Sequence, residues 1–149
     1  MQTEIRGGRA DITPSPYTDP LPERSMVYLE RMRALCEERG IELVLIKAPT
    51  NDWKYHWHDE WNAEIEAYAA EHGLRYYNFV DKTDEIGIDW STDTYDMGVH
   101  LNVYGAEKLT SYFGEILREE LKLEDRRADA ELASVWQEKL DRYYAERNR

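Results

Sequence analysis

Ile41–Ile46 reads IELVLI, and Leu74–Val80 reads LRYYNFV. Both runs are short, apolar and rich in β-branched or aromatic residues. Each is punctuated: Gly40 precedes the first and Pro49 follows it, and Gly73 precedes the second. Between them Trp61, Ile65, Tyr68 and Ala69 recur at helical spacing, which predicts a helix from about Asp59 to His72. Two strands joined through a helix form a right-handed crossover unit, so they are expected to lie parallel in one sheet. The fold class that follows is α/β.

On the N-terminal side, Leu29, Met32, Leu35 and Cys36 mark the apolar side of a helix beginning near Pro22 and ending at Gly40. Downstream, Leu109, Tyr112, Phe113, Ile116 and Leu117 predict a helix from about Val103 to Leu121, with Asn102 as its N-cap. A last helix, about Ala128 to Arg147, carries the stripe Ala133, Trp136, Leu140 and Tyr143 or Tyr144. Residues 1–21, with Gly7-Gly8, Pro14, Pro16 and Pro20, read as an irregular arm. The expected organisation is therefore an arm over 1–21, an α/β half-domain over 22–123 and a C-terminal amphipathic helix over 124–149. Four helices against two strands is a deficit, since an open α/β sheet usually has about five or six. Either another chain completes the sheet or these residues belong to a larger protein.

Composition narrows the function classes. The chain has 149 residues, one domain by size, with 42% hydrophobic and 34% charged residues. Its five Trp and eleven Tyr argue against disorder. A net charge of −12 disfavours nucleic acid and anionic membrane surfaces as partners. The lone Cys36 excludes an internal disulfide framework and reads as a buried small hydrophobe. No stretch approaches the ~18 apolar residues of a membrane span. Met1–Arg9 lacks the apolar centre of a secretory signal, so the expectation is a soluble, unexported, cytoplasmic chain.

The chemistry concentrates in residues 90–108, WSTDTYDMGVHLNVYGAEK. This segment follows the second strand and leads into a helix, which places it at the carboxyl edge of the sheet, where open α/β folds build their sites. Asp96 lies four residues before His100, within reach of one imidazole nitrogen. A carboxylate held there fixes the tautomer and leaves the other nitrogen as a general base. Gly98 permits a sharp turn, and Gly105-Ala106 permits close packing of the helix.

The order helix, IELVLIKAPT, helix, strand ending at Asp81, then YDMGVHLNVYGAEKLTSYFGEIL resembles the C-terminal part of SGNH (GDSL-type) hydrolases. It is closest to the bacterial branch whose histidine block reads His-Leu-Asn followed by Gly-Ala-x-Lys. The likeness spans about Glu23 to Leu121. It implies a partial flavodoxin-like three-layer sandwich, few parallel strands with flanking helices, to which the C-terminal helix is extra, and ester hydrolysis or O-acyl transfer on a small-molecule or carbohydrate ester. His100 would be the catalytic base and Asp96 its acidic partner, with no metal and no cofactor. The commonest family spacing puts the acid three residues before the histidine, so Asp93 is the alternative to Asp96. A longer parent of this kind would often work at the cell envelope.

The nucleophile block, Gly-Asp-Ser, is absent from the 149 residues. Ser15, Ser25, Ser91, Ser111 and Ser134 all lack a preceding strand in the right place. Without a serine and oxyanion donors the pair cannot form an acyl-enzyme. The expectation is a truncated or C-terminal portion that associates with a missing N-terminal half or with itself. The other reading is a non-catalytic interaction or assembly module derived from the same fold.

Three further features are weighed beside this. Asn51, in the Pro49–Asp52 loop, and Asn102 are candidate substrate-binding residues. Trp53, Trp57 and Trp61 recur every fourth residue and make either an aromatic wall for substrate, Trp53 foremost, or ordinary packing. His56 and His58 beside Asp59 and Glu60 lack the further ligands of a metal site.

Overall fold

The computed structural model describes residues 1–8, 21–51 and 58–148. It is a mixed α/β structure: α1 (Glu23–Glu38), β1 (Val44–Lys47), α2 (His58–Glu71), β2 (Arg75–Asn78), a 3₁₀ turn (Phe79–Lys82), α3 (Thr83–Ile86), α4 (Val103–Glu120) and α5 (Ala130–Arg147). Where the length suggests a single core, the chain gathers into two compact units, one of residues 9–83 and one of residues 1–8 with 84–149.

The 9–83 unit holds the expected crossover. β1 and β2 pair in parallel, with Val44 opposite Arg75 and Lys47 opposite Asn78. They are the two strands of this sheet among the described residues. Both start later than the apolar runs suggest, and the reason is the same at each. Gly40 (φ +62°) and Gly73 (φ +64°) end α1 and α2 in the left-handed region. Beyond each glycine, the next residue's N–H turns back into the helix: Ile41 donates to the Cys36 carbonyl and Leu74 to that of Ala69, both at 2.8 Å. Ile41 and Leu74 are therefore helix-capping residues, and Ile41 is left 57% exposed. β2 also ends early. The Asn78 side chain accepts from the Val80 N–H at 3.1 Å and so draws Phe79 and Val80 into the 3₁₀ turn.

Among the described residues of this unit, Leu29, Ala69, Phe79 and Pro49 are the buried ones. Burying Phe79, which is 1% exposed, is worth about 1.5–3 kcal/mol. The rest of the α1 stripe is less covered than its pattern suggests. Met32 and Leu35 are each half exposed, and Cys36 is half-buried rather than buried. Pro22 sits just before α1, its ψ of 128° being extended, so it is the capping residue and not the first helical one.

The other unit is built around α4. Leu109, Tyr112, Phe113, Ile116 and Leu117 all lie on its half-buried side. α5 begins at Ala130 because Asp129 caps it, accepting from the Leu132 N–H at 3.1 Å. It is tied to α4 through Glu107, which accepts from the Tyr143 hydroxyl at 2.8 Å and from Arg147 at 2.9 Å. The first eight residues, irregular as expected, are held in place by this unit: the Val103 N–H donates to the Gln2 carbonyl and the Arg6 N–H to that of Thr94, both at 2.9 Å. No described helix is long and apolar enough to cross a membrane.

Candidate functional site

Residues 93–102 form a small hairpin. The Asn102 N–H donates to the Asp93 carbonyl at 2.9 Å, Thr94 bridges Leu101 in antiparallel fashion, and the Tyr95 N–H donates to the His100 carbonyl at 3.4 Å. The tip, Asp96 to Val99, reverses through Met97 (φ 63°) and Gly98 (φ 98°). Glycine at 98 suits that region, whereas a methionine there is strained and needs support from its surroundings.

Across this tip Asp96 spans the start of the returning arm. One carboxylate oxygen accepts from the His100 backbone N–H at 2.7 Å, and the other lies 2.6 Å from His100 Nδ1. Burial raises the Asp96 pKa, but the hydrogen bonds from the His100 side chain and backbone outweigh it, so the carboxyl ends below its ordinary value. An ionised carboxylate only accepts, so the proton of a neutral His100 sits on Nδ1 and the lone pair on Nε2. The ring stacks on Tyr95 with centroids 5.9 Å apart, and its side chain is 65% exposed. The arrangement is an imidazole oriented through Nδ1 and largely exposed.

Asp93, the alternative acid, is otherwise engaged. It is 2% exposed, with one oxygen 2.6 Å from Lys108 Nζ and 2.8 Å from the Asp89 N–H, and the other 3.1 Å from the Thr92 hydroxyl. Lys108 also donates to the Gly87 carbonyl at 2.9 Å, so the pair ties the loop before the hairpin to α4. Gly105 is what lets α4 come so near: a Cβ there would lie 2.5 Å from the Asp93 carbonyl oxygen.

Asn102 is 1% exposed and its side chain is spent inside the protein. Its oxygen caps α4, accepting from Tyr104 and Gly105 N–H groups at 3.0 and 3.2 Å. Its amide donates to the carbonyls of Thr92 at 2.7 Å, Glu4 at 3.2 Å and Thr94 at 3.3 Å. The N-cap expectation is met. The substrate-binding role expected of Asn102 is corrected, because a buried side chain with both ends engaged has nothing left to offer a ligand.

The hairpin thus brings together Asp96, His100, Asn102 and Asp93. Asn51 is half-buried after β1, in the 9–83 unit. Trp53, Trp57 and His56 lie outside the described residues, while Trp61 is half-buried on α2. His58 Nδ1 is 3.1 Å from the Asp59 carboxylate. Among the described residues no cluster of His, Cys, Asp and Glu has the makings of a metal site. Ser91 donates to the Asp89 carboxylate at 2.5 Å and Ser111 to the Glu107 carbonyl at 2.9 Å, so both hydroxyls serve local structure.

The pattern of apolar residues did not single out Thr94, which is fully buried, or the partnership of the first eight residues with the hairpin. Beside the hairpin, an open and mainly apolar groove of about 970 Å³ runs from Leu101 along α4 to Trp136, Leu140, Tyr143 and Tyr144 of α5. No protein-family model, curated protein or solved structure matches the chain.

Proposed function

We propose that Asp96 and His100 are the acid–base half of an SGNH-type site for ester hydrolysis or O-acyl transfer. On this reading His100 Nε2 takes the proton of an attacking hydroxyl, and Asp96 fixes the ring and stabilises the imidazolium that forms. The observation that carries it is the double hold of Asp96 on His100, at 2.7 Å to the backbone and 2.6 Å to Nδ1, on a ring that is otherwise largely exposed. A structural turn needs the first contact only. The parallel β1–β2 crossover would be one part of a flavodoxin-like three-layer sandwich whose other strands, with the serine and its oxyanion donors, come from outside these 149 residues. The substrate would be a small-molecule or carbohydrate ester, its apolar or sugar portion laid on the aromatic groove that starts at Leu101. Asn51 remains a candidate for the substrate loop.

The test uses fluorophosphonate labelling and acetyl-ester hydrolysis, on the chain alone and on the chain co-expressed with the coding sequence adjoining it. The expected result is no serine labelling in the chain alone. Labelling and hydrolysis should both appear with the adjoining sequence, and hydrolysis should fall by about 10²–10⁴ in His100→Ala. Hydrolysis that survives His100→Ala would overturn the assignment. A non-catalytic assembly role is the second reading, favoured by the exposure of Val135, Trp136, Leu140 and Tyr144 along α5. It is expected to give self-association with neither labelling nor turnover in any form of the chain.

A further inference from the structure

The hairpin carrying Asp96 and His100 leans on residues far from it in sequence. The Arg6 N–H donates to the Thr94 carbonyl at 2.9 Å, and the Arg6 carbonyl accepts from the Met97 N–H at 2.7 Å and the Thr94 hydroxyl at 3.2 Å. The Thr94 hydroxyl in turn accepts from the Gly98 N–H at 3.1 Å. One residue of the N-terminal segment thus fixes both ends of the turn in which Asp96 sits, including the left-handed Met97. On the other arm of the hairpin, Asn102 reaches the Glu4 carbonyl and Val103 that of Gln2. Asp96 and His100 each sit between points that this segment holds.

The segment comes this close because residue 7 is glycine. A Cβ at Gly7 would overlap the Ser91 carbonyl and lie 2.5 Å from both the Ser91 carbonyl carbon and its Cα. These are backbone atoms, so a side chain can be admitted only by moving the strap or the loop. Gly8 continues the contact, its N–H donating to the Trp90 carbonyl at 3.1 Å.

We propose that Gln2–Gly8 is a positioning strap for the Asp96–His100 pair, with Gly7 and the Arg6 backbone as the residues that set its distance. The inference builds on the reading of the pair as an acid–base couple, but its test reads geometry and not turnover. In the full chain, the nitrogen shifts of neutral His100 measured by NMR report which ring nitrogen carries the proton. The wild-type ring should be protonated on Nδ1, the nitrogen facing Asp96. Gly7→Val should release the loop and move the population toward Nε2–H, the form preferred by an unconstrained imidazole in water. Arg6→Pro, which deletes the donor to Thr94 without adding bulk near Ser91, should do the same. The amide signals of α4 report that each variant is folded, and Gly7→Ala provides a milder version of the first.

A folded variant that loses the strap contacts yet keeps Nδ1–H would overturn the proposal. The two readings fail separately. A tautomer shift without any esterase activity in a longer protein sinks the enzymatic reading alone, and His100-dependent hydrolysis with an unmoved tautomer sinks the strap alone.

Discussion

Both bonds between Asp96 and His100 are strongest while Asp96 is ionised. Desolvation works against that charge, but the side-chain and backbone hydrogen bonds from His100 prevail, leaving the carboxyl below its ordinary value. A folded-state pKa below the unfolded one means that the unfolded chain binds more protons as the pH drops. The contribution is therefore present above the unfolded value, about 4, and is lost as pH falls through the lower folded value. Asp96→Asn keeps an oxygen for the backbone N–H but removes the titrating charge. Urea midpoints of the two forms should differ at neutral pH and converge as the pH falls below about 4. A gap of constant size across that range would place the stabilisation in shape instead of charge. The contact between Asp96 and His100 could be anticipated from the sequence, because four positions with a glycine between them let a loop bring the carboxylate onto one imidazole nitrogen. The choice between Asp96 and Asp93 was not legible. It depends on Lys108, fifteen residues beyond Asp93, reaching back from the second turn of α4.

At the scale of elements, helices declared themselves through period and caps, and strands were over-read at their ends. The apolar runs did mark β1 and β2, but sequence pattern alone does not say that the N–H groups of Ile41 and Leu74 serve the preceding helices. The supports of the hairpin were hidden for a related reason. Thr94, Asn102 and Asp93 are among the most buried side chains of the molecule, and all three are polar. Hydrophobic periodicity cannot find a core held by hydrogen bonds. Such a core has a measurable signature, because removing one member strands its partners in a dry place. Asn102→Ala deletes the cap of α4, worth about 1 kcal/mol, and removes the amide that donates to the Thr92 carbonyl and to the buried Thr94 carbonyl, which keeps only the Arg6 N–H, at roughly 1–3 kcal/mol more. A total loss of about 2–4 kcal/mol is expected in chemical denaturation, with hydrogen exchange rising first over the start of α4 and the hairpin. A loss below about 1 kcal/mol would mean that Asn102 acts as a simple surface cap.

For the whole molecule, acidity and apolar exposure pull in opposite directions. The 31 acidic residues against 19 basic ones give −12 at neutral pH, with an isoelectric point near 4.8. Meanwhile Trp136 is 59% exposed, Val135 46%, Tyr144 46% and Leu140 43%, all on α5, a helix with no buried residue. Such exposure along one helix is what an association seam looks like before it is covered. Like charge on every copy resists that covering, and its reach shrinks to about 8 Å at physiological ionic strength. Association should therefore grow as salt is added or as pH falls from 7.5 toward 5, read as a rising mass by light scattering on eluting peaks. If α5 is the seam, Trp136→Glu with Leu140→Glu keeps the chain monomeric under those conditions. Its stability should be essentially unchanged, since neither side chain is buried in the monomer. A double variant that associates as readily as the wild type would move the seam elsewhere, the half-exposed Met32 and Leu35 of α1 being one such apolar pair among the described residues.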